Sequence, residues 1–141
     1  MDTVYDTTVV AYSNGQLAGR RRGNALDRRL CVLEEFIVGV RLAWYNAVLL
    51  REYEKQITIC RNDVIEAFLA RLGDHGKRVK RSTLPRQAYA RAREIRWPGH
   101  DQHLLMAALD GTNSTIFVTE EALARCSANV RREFGFKVVQ V

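Results

Sequence analysis

The stretch TVYDTTVVAY, residues 3–12, is almost wholly apolar or β-branched, yet it carries a charged carboxylate at Asp6. A bare carboxylate inside such a run is costly unless it is paired or faces something positive. The residues from about Thr3 to Asp6 fit a first β-strand. The run TTVVAYS after it is ambiguous, because its β-branched residues also suit a continued strand.

Outward from this stretch the chain alternates strands and helices. NGQLAGRRRGN (14–24) is a loop by its glycines. Residues 25–38 set Leu26, Leu30, Leu33 and Ile37 at helical spacing on one apolar face. VRLAW (40–44) reads as a second strand. Asn46 can then cap a helix to about Ile57, with Val48, Leu49 and Tyr53 inward. Asn62 can cap DVIEAFLARLG, which ends at Gly73. GKRVKRST is a loop, and Pro85 suits the start of the helix in LPRQAYARAREIRW. WPG (97–99) is a break before a helix from about Asp101 to Gly111. STIFVT (114–119) is a third strand, EEALARC a helix, and FKVVQV (136–141) a closing strand. Such β-α-β alternation predicts an α/β sandwich with a mainly parallel central sheet. At 141 residues, one domain spanning 1–141 is the simplest organisation.

The charge is concentrated. Net charge is +6, but residues 71–96 hold nine lysines and arginines against two acids, Asp74 and Glu94. Lys77, Arg78, Lys80, Arg81, Arg86, Arg93 and Arg96 form most of this band, with Tyr89 and Trp97 set inside it. A basic band with interleaved aromatics suits a polyphosphate backbone. An anionic membrane fits less well, because the band lacks a strong apolar stripe. Arg20, Arg21 and Arg22 add a weaker cluster in a glycine-flanked loop.

In open α/β sheets, ligands bind beyond the carboxyl ends of the strands. Asp6 ends the first strand, and Glu52 lies on the helix after the second, with Glu54 a rival beside it. Asp101 opens the helix before the third strand, and Glu120 and Glu121 follow that strand. Each acid alone has an ordinary use, as a cap, a turn or a surface charge. Four acids aimed at one edge cannot all stay ionised and unpaired, so protons or cations must compensate them. Hard oxygen donors favour Mg²⁺ or Mn²⁺ over zinc.

Other chemistries find little support. The three cysteines, Cys31, Cys60 and Cys126, are an odd number without a CxxC pair, which predicts buried thiols in a reducing compartment. His100 and His103 lie three apart, but a helix beginning at Asp101 leaves His100 outside it, and no third nitrogen ligand is near. There is no GxSxG elbow and no glycine-rich phosphate loop. No apolar stretch reaches the roughly 18–20 residues of a membrane span, and the start lacks the basic region of a signal peptide, so a cytoplasmic protein is expected.

Taken with these motifs, the chain resembles the PIN-domain family, in its branch of small prokaryotic toxin-like nucleases. VYDTTVVAYS matches the family's opening strand and puts its first acid on Asp6. YNAVLLREYEKQI matches the second motif and selects Glu52 over Glu54. HDQHLLMAAL supplies the third acid as Asp101, and FVTEEAL supplies Thr119 and, at the fourth acid position, Glu121. Two positions depart from the pattern: Thr8 stands where Asn or Ser is usual, and Glu121 where Asp is usual.

The resemblance implies a PIN-like α/β/α sandwich and a metal-dependent nuclease, acting on RNA in preference to DNA. Asp6, Glu52, Asp101 and Glu121 would hold one or two Mg²⁺ or Mn²⁺ ions, with help from a Thr7 or Thr119 hydroxyl. It also implies an antitoxin partner and homodimerisation. A different class of function is a PIN-like nucleic-acid-binding or scaffold module without turnover, which the Thr8 and Glu121 departures motivate. A third is a small α/β protein outside the family whose acids never converge.

Overall fold

Thr3, Val4 and Tyr5 are consecutive and all buried. Consecutive strand side chains point to opposite faces, so the strand β1 (Asp2–Tyr5) is covered on both. A computed structural model of the chain describes residues 1–15, 24–81 and 83–141. Arg20, Arg21 and Arg22, with most of the expected loop around them, lie outside the described residues, as does the side chain of Leu26.

β1 is the middle of a five-stranded sheet whose neighbouring strands all run parallel. The other strands are β2 (Leu42–Tyr45), β3 (Lys77–Arg78), β4 (Thr115–Val118) and β5 (Lys137–Gln140), in the order β3–β2–β1–β4–β5. β1 sends its next connection to β2 on one side and pairs with β4 on the other. The carboxyl ends of β1 and β4 therefore flank the point where strand order reverses, where parallel sheets place their ligands. Tyr5 stands opposite Phe117, and the Asp6 amide donates to the Phe117 carbonyl at 2.9 Å. The ladder thus runs one residue past β1 and fixes Asp6 at that edge.

Eight α-helices accompany the sheet among the described residues: α1 (Thr7–Ser13), α2 (Asn24–Ile37), α3 (Ala47–Gln56), α4 (Asp63–His75), α5 (Arg86–Glu94), α6 (Gln102–Ala108), α7 (Glu121–Ala124) and α8 (Ser127–Phe134). The ambiguous TTVVAYS is α1. Val9 and Val10 are fully buried there, with α1 packed on α2 and α3, and that burial overrides the β preference of the run. GKRVKRST is not wholly a loop. Its first two residues after glycine form β3, an edge strand held to β2, and the Val79 amide continues the pairing with the Tyr45 carbonyl at 2.7 Å. α4 runs two residues past Gly73, to His75. No helix among the described residues is long and apolar enough to cross a membrane.

The core is aromatic where β1, β4, α2, α3 and α4 meet. The Tyr5 ring lies 5.4 Å from Phe68 and 5.7 Å from Phe117 between centroids, and Phe36 is 5.6 Å from Phe68. Such rings contribute large buried area and favourable edge-to-face contact. The Tyr5 hydroxyl donates to the Val32 carbonyl at 2.8 Å, and the Tyr53 hydroxyl donates to the Tyr5 carbonyl. The second bond ties α3 to the residue just before Asp6.

Caps at Asn46 and Asn62 form as expected, accepting from the Leu49 amide at 3.0 Å and the Ile65 amide at 2.9 Å. Leu49 and Tyr53 point inward, but Val48 is 40% exposed. Asn46 also donates from Nδ2 to the His103 carbonyl at 2.8 Å, which joins α3 to α6. Asn46→Ala removes a cap and strands that carbonyl. It is expected to cost about 1–2 kcal/mol, read as a lower urea midpoint at unchanged slope. An unchanged midpoint would mean that the cap contributes nothing to stability. The cysteines differ from expectation: Cys31 and Cys60 are exposed and Cys126 is half-buried, all as free thiols. Cys31 faces solvent because Val32 and Leu33 take the inward side of α2.

Candidate metal centre

Asp6, Asp101 and His103 each offer a ligand atom, and these atoms lie within 4.8 Å of one another. They come from the end of β1, from a 3₁₀ turn (Gly99–Asp101) and from α6. With Glu52 of α3 and Glu120, just after β4, they line one cavity of about 380 Å³. Asp6, Glu52 and Asp101 therefore converge at one cavity, against the expectation of a fold whose acids never meet.

Asp6 is 5% exposed and stands at the N-cap position of α1 without a side-chain capping hydrogen bond. Its Oδ2 accepts from the Thr8 hydroxyl at 2.9 Å, and Thr8 accepts in turn from the Thr119 hydroxyl at 2.6 Å. Thr8 thus supplies an oxygen beside Asp6, and Thr119 acts through it rather than lining the cavity. Burial pushes the Asp6 carboxyl up from 3.8 to about 6. The Thr8 bond opposes this, while the Asp101 and Glu120 charges add to it.

Asp101 is 7% exposed and likewise makes no capping bond. Its backbone is fixed on both sides: its amide donates to the Pro98 carbonyl at 3.0 Å, and the Trp97 indole donates to its own carbonyl at 2.8 Å. Its Oδ2 is buried and has no hydrogen-bond partner among the described residues. His100 Nε2 lies 3.1 Å from that oxygen, close enough for ionic attraction when protonated but without hydrogen-bond alignment. Burial pushes the Asp101 carboxyl up, His100 pulls it down, and Glu120 adds to the rise.

His103 was not expected here. The turn begins at Gly99, before the expected helix start, so His100 is already helical, and residues three apart in such a turn share a face. Both histidines line the cavity. Burial pushes the His103 imidazole down, against the His100 carbonyl and the Glu52 charge, and the neutral ring is the form that ligates metals.

Of the two acids after β4, Glu120 lines the cavity and Glu121, expected at the fourth acid position, does not. Glu120 still has extended backbone and lines the cavity beside Asp6 and Asp101. Glu121 is the first residue of α7, and its carboxylate pairs with Arg125 one turn on, at 2.9 Å. That local helical pair turns it away from the cavity.

Among the described residues no lysine or arginine lines this cavity, although four carboxylates do. Two buried carboxyls pushed towards the neutral form, an orphaned carboxylate oxygen and a neutral imidazole together fit a divalent cation, which would neutralise the first two and engage the last.

The basic band splits. Arg78, Lys80 and Arg81, joined by Arg51 of α3, line a second cavity of about 490 Å³. Val48 lies in the wall of both cavities, so the acidic and basic clefts adjoin along α3. Arg51 escaped sequence reading because it lies outside the basic run. Arg81 also pairs with Asp110 at 2.9 Å. Arg93 and Arg96 line a separate cavity with half-exposed Tyr89, the Arg93 guanidinium 6.0 Å from its ring. Lys77 and Arg86 are exposed and line neither cavity. Trp97 is buried and spent on the Asp101 carbonyl, so it offers no stacking face. No protein-family model matches the chain, and no curated protein matches it.

Proposed function

We propose that this is a metal-dependent nuclease of PIN-like α/β/α architecture, hydrolysing phosphodiester bonds in single-stranded RNA. One observation carries the reading: a cavity lined by four carboxylates, at the carboxyl ends of β1 and β4, opens beside a cleft lined by Arg51, Arg78, Lys80 and Arg81. The preference for RNA, and a toxin–antitoxin role, rest on the family resemblance alone.

Asp6, Asp101 and His103 would hold Mg²⁺ or Mn²⁺, with Glu52 and Glu120 beside them. Such an ion supplies charge neutralisation at the phosphate and an acidified water. The protein's own contribution is positional. The Thr119–Thr8 hydroxyl chain orients Asp6, the Trp97 bond and the 3₁₀ turn hold Asp101, and the Asn46 bond holds the backbone at His103. Arg51, Arg78 and Lys80 would engage phosphates running from the basic cleft to the acidic one, bringing one phosphodiester against the carboxylates.

The test is cleavage of labelled single-stranded RNA with Mn²⁺, with Mg²⁺ and with chelator. Cutting that the chelator abolishes supports the proposal, and binding without cutting under any condition favours the scaffold reading. Replacing Arg78 and Lys80 together by alanine is expected to weaken RNA binding several-fold across sequences. It should also flatten the salt dependence by about one to two in the log–log slope. An unchanged slope would place the RNA elsewhere on the surface.

A further inference from the structure

The donor set contains a nitrogen. Four carboxylates alone form a hard oxygen site suited to Mg²⁺, but the three atoms that can meet at one ion here come from two carboxylates and an imidazole. Imidazole is a poor partner for Mg²⁺ and a good one for first-row transition cations, whose affinity for nitrogen rises along the series from Mn²⁺. We infer that His103 is a direct nitrogen ligand and tilts this site from Mg²⁺ towards first-row transition cations, with Mn²⁺, Co²⁺ and Zn²⁺ bound in preference.

Three features of His103 support this. It sits on α6 three residues after His100, and its own carbonyl is fastened by Asn46, so the ring leaves a backbone that is held. Its ring lines the cavity and offers a nitrogen within 4.8 Å of a carboxylate oxygen of both Asp6 and Asp101. Beside it, the Asp101 Oδ2 is buried, lacks a hydrogen-bond donor and belongs to a residue in the same cluster. His100 Nε2 lies 3.1 Å from that oxygen without hydrogen-bond alignment, the described residues bring no lysine or arginine to the cavity, and a shared cation satisfies both Asp101 and His103 at once.

This inference rests on the cation site of the proposed nuclease, and binding can be measured without any substrate. Titration calorimetry of the full chain with Mn²⁺, Co²⁺ and Mg²⁺ compares wild type with His103→Gln. Circular dichroism in chelator verifies that both fold. His103→Gln is expected to weaken Mn²⁺ and Co²⁺ by about tenfold or more while Mg²⁺ changes by less than about threefold. Equal weakening of all three ions, or none, overturns the inference and leaves the nuclease reading standing. Failure of wild type to bind any divalent ion overturns both.

A second measurement needs no variant at position 103. In ¹⁵N-histidine-labelled protein, Zn²⁺ should shift one ring nitrogen of His103, and Mg²⁺ should not. The resonance is assigned by comparison with His75→Gln and His100→Gln. A His103 ring indifferent to Zn²⁺ contradicts direct ligation.

Discussion

Asp101→Asn is expected to lower metal-dependent RNA cleavage by at least about a hundredfold while leaving the protein at least as stable. The substitution keeps the shape of the side chain and removes its charge. The backbone restraints at this residue, from Pro98 and the Trp97 indole, do not involve the carboxylate, so the 3₁₀ turn should survive. Among the described residues the carboxylate does little that repays its burial: it makes no capping bond, and its Oδ2 has no hydrogen bond and only the exposed His100 ring at 3.1 Å. A buried charge so poorly compensated is explained by a ligand from outside. Cleavage assays beside thermal melts decide it. Full activity in the variant would remove Asp101 from the reaction, and a collapsed melting temperature would make its role structural.

Metal-free protein is expected to lose stability as pH rises from about 4 to about 6, and Asp6→Asn to abolish most of that loss. Burial holds the Asp6 carboxyl at about 6 in the folded chain, against 3.8 for an ordinary aspartate. Between those values the native state binds more protons than the unfolded state, so unfolding free energy falls with rising pH. Above both, the ionised carboxylate costs the fold about 3 kcal/mol as an upper figure. Asp101, raised for the same first reason, adds in the same direction. Near pH 4 the two proteins should unfold at similar urea concentrations. At pH 7.5 in chelator the Asn variant should be the more stable, and saturating Mn²⁺ should close the gap by stabilising wild type alone. A variant less stable than wild type at pH 7.5 would mean that a positive group already compensates Asp6.

Much of the fold could be read from periodicity and caps. The strands at Thr3, Leu42, Thr115 and Lys137 and the caps at Asn46 and Asn62 stand close to where apolar runs and polar starts put them. What escaped was decided by tertiary contact. β3 is two charged residues that form a strand only because β2 offers an edge, and α1 is a β-branched run made helical by burial against its neighbours. α8 lies in SANVRREF, where Val130 is the single buried residue and no apolar stripe announces a helix.

The site shows the same division. Asp6 and Asp101 could be located because a strand end and a helix start fix them to within a residue, whereas Glu52, inside α3, was separated from Glu54 only by the family resemblance. Choosing between Glu120 and Glu121 required knowing on which residue α7 begins, since one step reverses the direction of a side chain. His103 was hidden by the helix start. A 3₁₀ turn beginning at Gly99, with Pro98 before it, was the signal that HDQH forms a continuous helical face.

The most direct measurement is a crystal structure of the protein soaked in Mn²⁺, with anomalous data collected to locate the ion. An anomalous peak within bonding distance of the Asp6 and Asp101 carboxylates and the His103 ring is the expected result. Saturating Mn²⁺ that leaves this cavity without a peak, or binds only elsewhere on the surface, would contradict a cation site at the head of β1 and β4.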